Sequence, residues 1–331
     1  MSGTPVHLTL AISEYDHVRD LADGRVRPEG IELTVLSLQV EEIFYRFTRH
    51  QEWDVSELSM AKYASLVGSG DRSVTAIPVF PSRVFRHAAF YVRADGPVRE
   101  PADLAGRRVG VPEWIQTAGV YARGVLRDQY GVALADVRWV QGGVNEAGRE
   151  ELVAPKLPPG VAIEAVTDRT LQDMLADGDL DAVISARPPQ RFLDGDPRIR
   201  RLLDDARAVE EAHYRETGIF PIMHTVAIRT EVLDENPWVA RNLLTAFTDA
   251  KDRSLARLRD VNASRFPLPW SHELGGRAAS LLGADSWPYG IERNRPTLEA
   301  FLGFAHEQGV AERPLAPEDL FPPSVRRTFR V

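Results

Sequence analysis

The sequence contains no cysteine at any of its 331 positions. Disulfide bonds, catalytic thiolates, iron–sulfur clusters and cysteine-based zinc sites are therefore excluded. Lysine is scarce as well, occurring only at Lys62, Lys156 and Lys251, so arginine supplies almost all of the positive charge. Because arginine is common throughout the chain, a single arginine in a motif is weak support for a binding role.

Long apolar runs and an excess of positive charge are also missing. No apolar stretch approaches the roughly 20 residues that a membrane-spanning helix needs. The opening stretch, MSGTPVHLTLAISEYD, lacks the basic and apolar regions of a secretory signal. A formal net charge of −8 gives no general attraction to nucleic acid or to anionic membranes. These features predict a cytoplasmic protein with neither a nucleic-acid nor a membrane partner.

The sequence motifs of several large enzyme classes do not occur. There is no glycine-rich phosphate loop, no Gly-x-Ser-x-Gly elbow and no His-Glu-x-x-His pair. Histidine and acidic residues show no compact spacing typical of metal ligands, so no residue is assigned to a metal. Metal dependence stays open at this stage.

The order of predicted strands and helices indicates two α/β lobes. VHLTLAI, IELTVLSL and WDVSELS are strand-like, and helical segments follow them, one of them with Ser59 as its expected N-cap. The pattern restarts near residue 97, where TAGVYARGVLRDQYG predicts a helix capped by Thr117, and returns at FPIMHTVAIR. We expect mainly parallel sheets, with residues 1–94 and 224–331 in lobe I and residues 95–223 in an inserted lobe II. The crossovers would lie near residues 92–97 and 222–228, with a ligand crevice between the lobes.

In open α/β sheets, ligands bind beyond the carboxyl ends of the strands. This rule selects a set of polar residues from five separate segments. They are Glu14, Glu57, Ser59, Glu113, Gln116, Thr117, Arg187 and His224.

His224 lies inside the apolar run IFPIMHTVAIR. A lone histidine in such a strand is commonly a packed core residue. Its position at the predicted second crossover favours a role in the crevice instead, and its ordinary pKa near 6.5 suits a proton carrier.

The segment PSRVFRH carries Arg83, Arg86 and His87. In an extended conformation Arg83 and His87 share one face while Arg86 points to the other. A solvated basic turn is the simpler interpretation, but the apolar flanks AIPVF and AAFYV favour burial. A buried guanidinium needs an anionic partner, and its fork geometry suits a carboxylate ligand.

Several of these motifs resemble known families. The segments DLAGRRVGVPEWIQTAGVYARG and DGDLDAVISARPP resemble the second lobe of type II periplasmic-binding-protein folds. Together, VFPSRVFRH, GVPEW, GDLDAVISARPP and IFPIMHTVAIR resemble the 4,5-dihydroxyphthalate decarboxylase family, which uses this fold as an enzyme. The resemblance covers nearly the whole chain. One departure is Gly142-Gly143-Val144-Asn145, where relatives carry Gly-Gly-Leu-Glu.

The resemblance implies decarboxylation of 4,5-dihydroxyphthalate, or a close analogue, to protocatechuate and CO2, without an organic cofactor. His224 is then the leading proton donor, with His87 as the alternative. Glu57 or Glu113 would accept the phenolic proton or orient the imidazole. The carboxylates would be held by Arg83, Arg86 or Arg187 and by the helix start at Gln116 and Thr117. Arg187 could instead pair with Asp179 or Asp181.

Two other functions fit the same fold. A solute-binding protein of an ABC transporter would return its ligand unchanged, and the absence of an export signal argues against it. An enzyme of different chemistry, acting on a specialised metabolite or a pyrimidine precursor, is the second alternative. The expected partner is a small aromatic carboxylate, and a homo-oligomer is left open.

Overall fold

The computed structural model describes residues 4–149, 151, 155–263 and 265–327. The ends of the predicted lobe I, residues 1–3 and 328–331, lie outside the described residues. The strands are β1 (Val6–Ile12), β2 (Ile31–Ser37), β3 (Val55–Ser59), β4 (Val74–Ile77), β5 (Phe90–Arg93), β6 (Arg108–Val111), β7 (Arg138–Gln141), β8 (Ile163–Ala165), β9 (Ala182–Ile184), β10 (Ile199–Arg201) and β11 (His224–Arg229). The α-helices are α1 (Asp16–Ala22), α2 (Val40–His50), α3 (Met60–Ser69), α4 (Thr117–Tyr130), α5 (Leu171–Asp177), α6 (Gln190–Leu193), α7 (Ala206–Thr217), α8 (Thr230–Glu235), α9 (Val239–Arg259), α10 (Ser271–Leu282) and α11 (Arg295–Glu307).

The strands form two separate sheets, one in each lobe. The first has the order β2-β1-β3-β11-β4, and the second has the order β10-β5-β9-β6-β7-β8. Strands connected within a lobe by helices run parallel, as the alternating pattern predicts. The two strands that enter from the other lobe, β5 and β11, are antiparallel to their neighbours. Each sheet is therefore mixed rather than purely parallel.

The chain leaves the first sheet earlier than the sequence pattern predicts. Strand β4 belongs to the first sheet, whereas β5 already pairs with β9 and β10 in the second. The first crossover thus lies within residues 78–89, before the expected residues 92–97. These residues carry little strand pattern because they form one isolated bridge, at Arg83, and a short 3₁₀ helix, His87–Ala89. The chain re-enters the first sheet at His224.

The C-terminal helices join the two lobes at one side. Helix α11 packs against both α3 of lobe I and α4 of lobe II. Gly124 of α4 lies directly beside the ring of Phe304 in α11, so no side chain fits at that point. The ring of Phe301 lies 5.2 Å from that of Tyr121. In the part of the chain that the structure describes, no helix is long and apolar enough to cross a membrane.

Candidate functional site

A crevice lies between the lobes and is bordered by both crossovers. It has about 860 Å³ of free space, a volume that includes open solvent. Its lining residues are Val40, Glu41, Phe44, Ser59, Lys62, Arg86, Glu113, Ile115, Gln116, Thr117, Ala118, Arg149, Ala186, Arg187, Met223 and His224. The apolar members supply walls for a ring, and the charged members come from both lobes.

His224 is the imidazole of the crevice, and a buried carboxylate fixes its orientation. Nδ1 of His224 lies 2.6 Å from Oε1 of Glu57, a fully buried side chain. Glu57 also accepts hydrogen bonds from the Tyr15 hydroxyl at 2.6 Å and from the backbone N–H of Ser13 at 2.9 Å. Nε2 is left as the ring nitrogen available to a ligand.

The pKa values of this group are shifted by its surroundings. Burial alone would raise the pKa of the Glu57 carboxyl, but the hydrogen bond and charge of His224, with the Tyr15 and Ser13 donors, hold that pKa below its usual range. Burial and the neighbouring Glu57 raise the pKa of the Tyr15 hydroxyl far above its usual value, so Tyr15 stays a donor. Glu57 is therefore an acceptor for three donors.

The sheet explains why these side chains meet. Glu57 is in the middle of β3, not at its end as predicted, and β3 runs antiparallel to β11 with Ser59 opposite His224. Glu57 is two residues from Ser59, so its side chain is on the same face and reaches the ring diagonally. The ring of Phe44, from α2, contacts the imidazole edge-on at 4.8 Å between centroids. Glu57 thus lies behind the imidazole, out of reach of a ligand.

Arg86 lines the crevice, and no carboxylate of the described residues forms an ion pair with it. Its Nε donates to the sulfur of Met223 at 3.1 Å. Burial lowers the pKa of the guanidinium to about 10. Glu210 opposes this shift but forms no ion pair with Arg86, so the desolvated guanidinium is well suited to hold the anion of a ligand.

The structure places Arg83 and His87 away from the crevice, in contrast to the predictions. Arg83 is buried and donates to the backbone oxygens of Phe220 at 3.0 Å and Pro288 at 2.8 Å, and also to Asn294. The segment is not a continuous strand, so only Arg86 is directed into the crevice.

His87 is buried in a cluster of its own. Its Nε2 lies 2.7 Å from Oε1 of Gln129, whose amide nitrogen lies 2.9 Å from Nδ1 of His213. Burial lowers the pKa of both imidazoles, that of His213 to about 4. Neither Gln129 nor His213 lines the crevice, so the geometry does not support His87 as the alternative proton donor.

Glu113 follows β6 and faces the crevice in a cluster of charges. Its Oε1 accepts from Nε of Arg149 at 2.9 Å, and its Oε2 lies 3.6 Å from Nζ of Lys62. Arg149 and Lys62 were not identified from the sequence. Two features of the sequence point to Lys62: lysine is rare in this chain, and Lys62 is three residues after the predicted N-cap Ser59.

The start of α4 contacts lobe I through a side chain. Ser59 caps α3 as predicted, accepting from the N–H of Lys62. The N-cap of α4 is Gln116, not Thr117. The Thr117 hydroxyl instead lies 2.9 Å from that of Ser59 and accepts from the N–H of Ala61 at 3.0 Å. The first N–H groups of α4 border the crevice, where they favour an anion.

The remaining predicted residues divide between the mouth of the crevice and another surface. Arg187 is exposed and forms an ion pair with Glu41 of α2 at 2.7 Å, which bridges the lobes; it does not pair with Asp179 or Asp181. Glu14 is exposed and lines a different cavity, beside α1.

The loop that departs from the family pattern borders an adjoining cavity. Gly143, Val144 and Asn145 line it together with Gln116 and Arg187, which also line the crevice. Among the described residues, no group of three or more histidine or acidic side chains is placed to hold a metal ion.

Comparison with curated proteins finds close relatives. No protein-family model matches the chain. A 4,5-dihydroxyphthalate decarboxylase from Comamonas testosteroni is 38% identical over 327 residues, which cover 98% of this chain and 99% of the relative. A 4,5-dihydroxyphthalate decarboxylase from Pseudomonas putida is 41% identical over 211 residues, covering 63% of this chain and 82% of the relative.

Solved structures with this architecture include the periplasmic aliphatic sulphonate-binding protein SsuA from Escherichia coli. It aligns with a TM-score of 0.54 at 13% identity and covers 97% of this chain and 99% of its own. This similarity confirms the predicted two-lobed fold. The near-complete match to the Comamonas relative shows that the chain belongs to the 4,5-dihydroxyphthalate decarboxylase family, built on a type II periplasmic-binding-protein-like fold.

Proposed function

We propose that this protein is a decarboxylase of a hydroxylated aromatic dicarboxylate, 4,5-dihydroxyphthalate or a close analogue, and yields protocatechuate and CO2 from the former. Family membership supports the reaction. The single structural observation that carries the proposal is the His224 imidazole, held at Nδ1 by the buried Glu57 and open at Nε2 to a crevice that also contains Arg86.

The chemistry requires a proton donor beside the carbon that loses its carboxylate. A hydroxyl para to that carbon supplies electron density to it, protonation there interrupts aromaticity, and loss of CO2 restores it. His224 delivers this proton from Nε2, and Glu57 supports the imidazolium as the carboxylate of a catalytic triad does. One proton is consumed in each turnover, so His224 regains its proton from solvent.

The carboxylate that stays on the ring needs a fixed cation. Arg86 fits this role because its guanidinium has no carboxylate partner in the described protein and faces the crevice. The N–H groups at the start of α4 add hydrogen-bond donors on the side of lobe II. Phe44, Ile115 and Met223 supply apolar contacts for the ring. Of the two predicted carboxylates, Glu113 is the one placed to accept the phenolic proton, since Glu57 is covered by His224.

The test is to incubate the purified protein with 4,5-dihydroxyphthalate and follow CO2 and protocatechuate, with and without a chelator. His224→Asn should lower kcat by about 10²–10⁴-fold, the usual contribution of a positioned general acid, while the protein folds normally. His272→Asn, at an exposed position of α10, is the matched control. A folded His224→Asn variant with full turnover would remove His224 from the mechanism. A ligand that binds and is recovered unchanged would indicate a binding protein instead.

The cytoplasmic location stays a prediction, and the sequence leaves the oligomeric state open. Cell fractionation of the source organism tests the first, and light scattering during size-exclusion chromatography tests the second.

A further inference from the structure

Lys62 is a buried cation that forms an ion pair with Glu113 but has no hydrogen-bond acceptor among the described residues. Its side chain is 6% exposed. The nearest carboxylate oxygen, Oε2 of Glu113, is 3.6 Å away. Lys251, the other buried lysine, lies 2.8 Å from Asp285. A buried ammonium without an acceptor is costly, so a ligand that offers an acceptor to Lys62 would be favoured.

Lys62 lies on the same wall of the crevice as the proposed proton donor. It follows the N-cap Ser59 by three residues, and Ser59 is opposite His224 in the sheet. Glu113 approaches from lobe II. A second buried polar atom, Oε1 of Gln116, has no hydrogen-bond partner in the described part of the chain and borders the same crevice. Within the described residues, the crevice therefore contains a donor and an acceptor without hydrogen-bond partners, in addition to His224 and Arg86.

We propose that Lys62 and Glu113 together bind the substrate hydroxyl that is para to the departing carboxylate. This inference rests on the proposed function and adds Lys62 to it as a catalytic residue. A phenolic hydroxyl can donate to Oε2 of Glu113 and accept from Nζ of Lys62 at once, which satisfies both groups. A carboxylate in the same place would be repelled by Glu113. The substrate carboxylate that is retained is thus directed to Arg86, which has no acidic neighbour within ion-pair distance in the described chain.

The pair then acts on the hydroxyl during the reaction. The phenolic O–H bond breaks, its proton passes to Glu113, and the phenolate is stabilised by the Lys62 ammonium. Its electron pair moves through the ring to the para carbon, which forms a C–H bond as the N–H bond of His224 breaks. The C–C bond to the carboxylate then breaks, its electrons return through the ring to the oxygen, and CO2 leaves. Glu113 returns its proton to the oxygen, and His224 takes one from solvent.

Binding of unreactive ligands tests this assignment at equilibrium. Benzoate keeps only the retained carboxylate, and 3-hydroxybenzoate adds the one hydroxyl that is para to the vacated position. By calorimetry, the wild type should bind 3-hydroxybenzoate at least about tenfold more tightly than benzoate. Benzoate has no hydroxyl, so it offers Lys62 and Glu113 no hydrogen-bond partner. Lys62→Met should bring this ratio near unity while changing the Kd of benzoate little. Lys156→Met, at an exposed lysine paired with Glu312, should keep the wild-type ratio.

Equal weakening of both ligands in Lys62→Met would assign Lys62 to the carboxylate and overturn the inference, as would a wild type without preference for the hydroxyl. If Lys62→Met does not fold, Lys62→Gln replaces it, and the ratio of its two Kd values should likewise be near unity. Turnover separates the two proposals. A wild type that prefers 3-hydroxybenzoate but releases no CO2 from 4,5-dihydroxyphthalate contradicts only the proposed function. CO2 release with an unchanged ratio in Lys62→Met contradicts only the role of Lys62.

Discussion

At the scale of single residues, the sequence shows which side chains could do the chemistry but not which partners they have. The place of His224 in an apolar strand at a crossover was enough to select it. The sequence does not tell which of Arg83 and Arg86 faces the ligand, because the answer depends on residues about 200 positions away. The oxygens of Pro288 and Asn294 accept hydrogen bonds from Arg83. An arginine that already has acceptors in the protein has little left for a ligand.

The two arginines should therefore respond differently to the same substitution. Arg86→Lys keeps the charge but loses the bidentate fork, so kcat/KM for the dicarboxylate should fall at least about tenfold, or 1.4 kcal/mol, with little change in Tm. Arg83→Lys should instead lower the free energy of unfolding by about 1–3 kcal/mol, because buried carbonyl groups lose their donor. Steady-state kinetics and thermal unfolding of both variants check this. Normal kinetics for Arg86→Lys would show that Arg86 does not hold the substrate.

At the scale of secondary structure, periodicity predicted most elements but not all of their ends. Strand β1 and the stop of α4 at Gly131 match the predicted segments. The start of α4 was placed one residue late, since Thr117 is attractive as a cap but its hydroxyl is engaged by Ser59 of the other lobe. Local sequence cannot reveal such a competing partner. For the same reason, the local sequence did not predict the short crossover, whose conformation is set by contacts with both lobes.

Glycine in a helix gives a test of how closely the elements pack. A Cβ on Gly124 of α4 would lie 2.5 Å from the ring of Phe304, whereas one on Gly303 of α11 would meet nothing within 4 Å. Gly124→Ala should therefore destabilise the protein by about 1–3 kcal/mol through overpacking. Gly303→Ala should stabilise it by about 0.5–1 kcal/mol, because alanine loses less backbone entropy in a helix. Urea unfolding measures both, and stabilisation by Gly124→Ala would mean that α11 does not press on α4.

At the scale of the whole molecule, the proposed function depends on one crevice that residues of both lobes line. His224 and Lys62 are on lobe I, and Glu113 and Arg149 are on lobe II, so the charged groups assemble only when the lobes are together. The hydroxyl contact of Ser59 with Thr117 and the ion pair of Arg187 with Glu41 bridge the lobes at this crevice. The sequence predicted the two lobes from the restart of the strand–helix pattern. It could not predict Arg149, which reaches Glu113 from a loop without regular pattern.

The stability of the whole molecule should depend on pH through His213, a residue of α7 that is buried against the 3₁₀ helix of His87. Its Nδ1 is close to the amide nitrogen of Gln129, and its pKa is lowered by burial first and then by His87, although Asp128 opposes the shift. With a pKa of about 4 in the folded protein and about 6.5 unfolded, the imidazole binds a proton more readily after unfolding. Stability is therefore present above about pH 6.5 and is lost as the pH falls towards 4.

The measurement is the free energy of unfolding in urea at pH 7 and pH 5 for the wild type and for His213→Gln. The wild type should lose about 1 kcal/mol more than the variant over this interval, allowing for solvent screening. Glu151, whose pKa burial raises to about 7, works in the opposite direction, but it is present in both proteins and cancels in the comparison. His272→Gln, at an exposed position, should lose as much as the wild type. If His213→Gln loses as much stability as the wild type, the imidazole accepts a proton without unfolding, and the hydrogen bond from Gln129 does not hold it neutral.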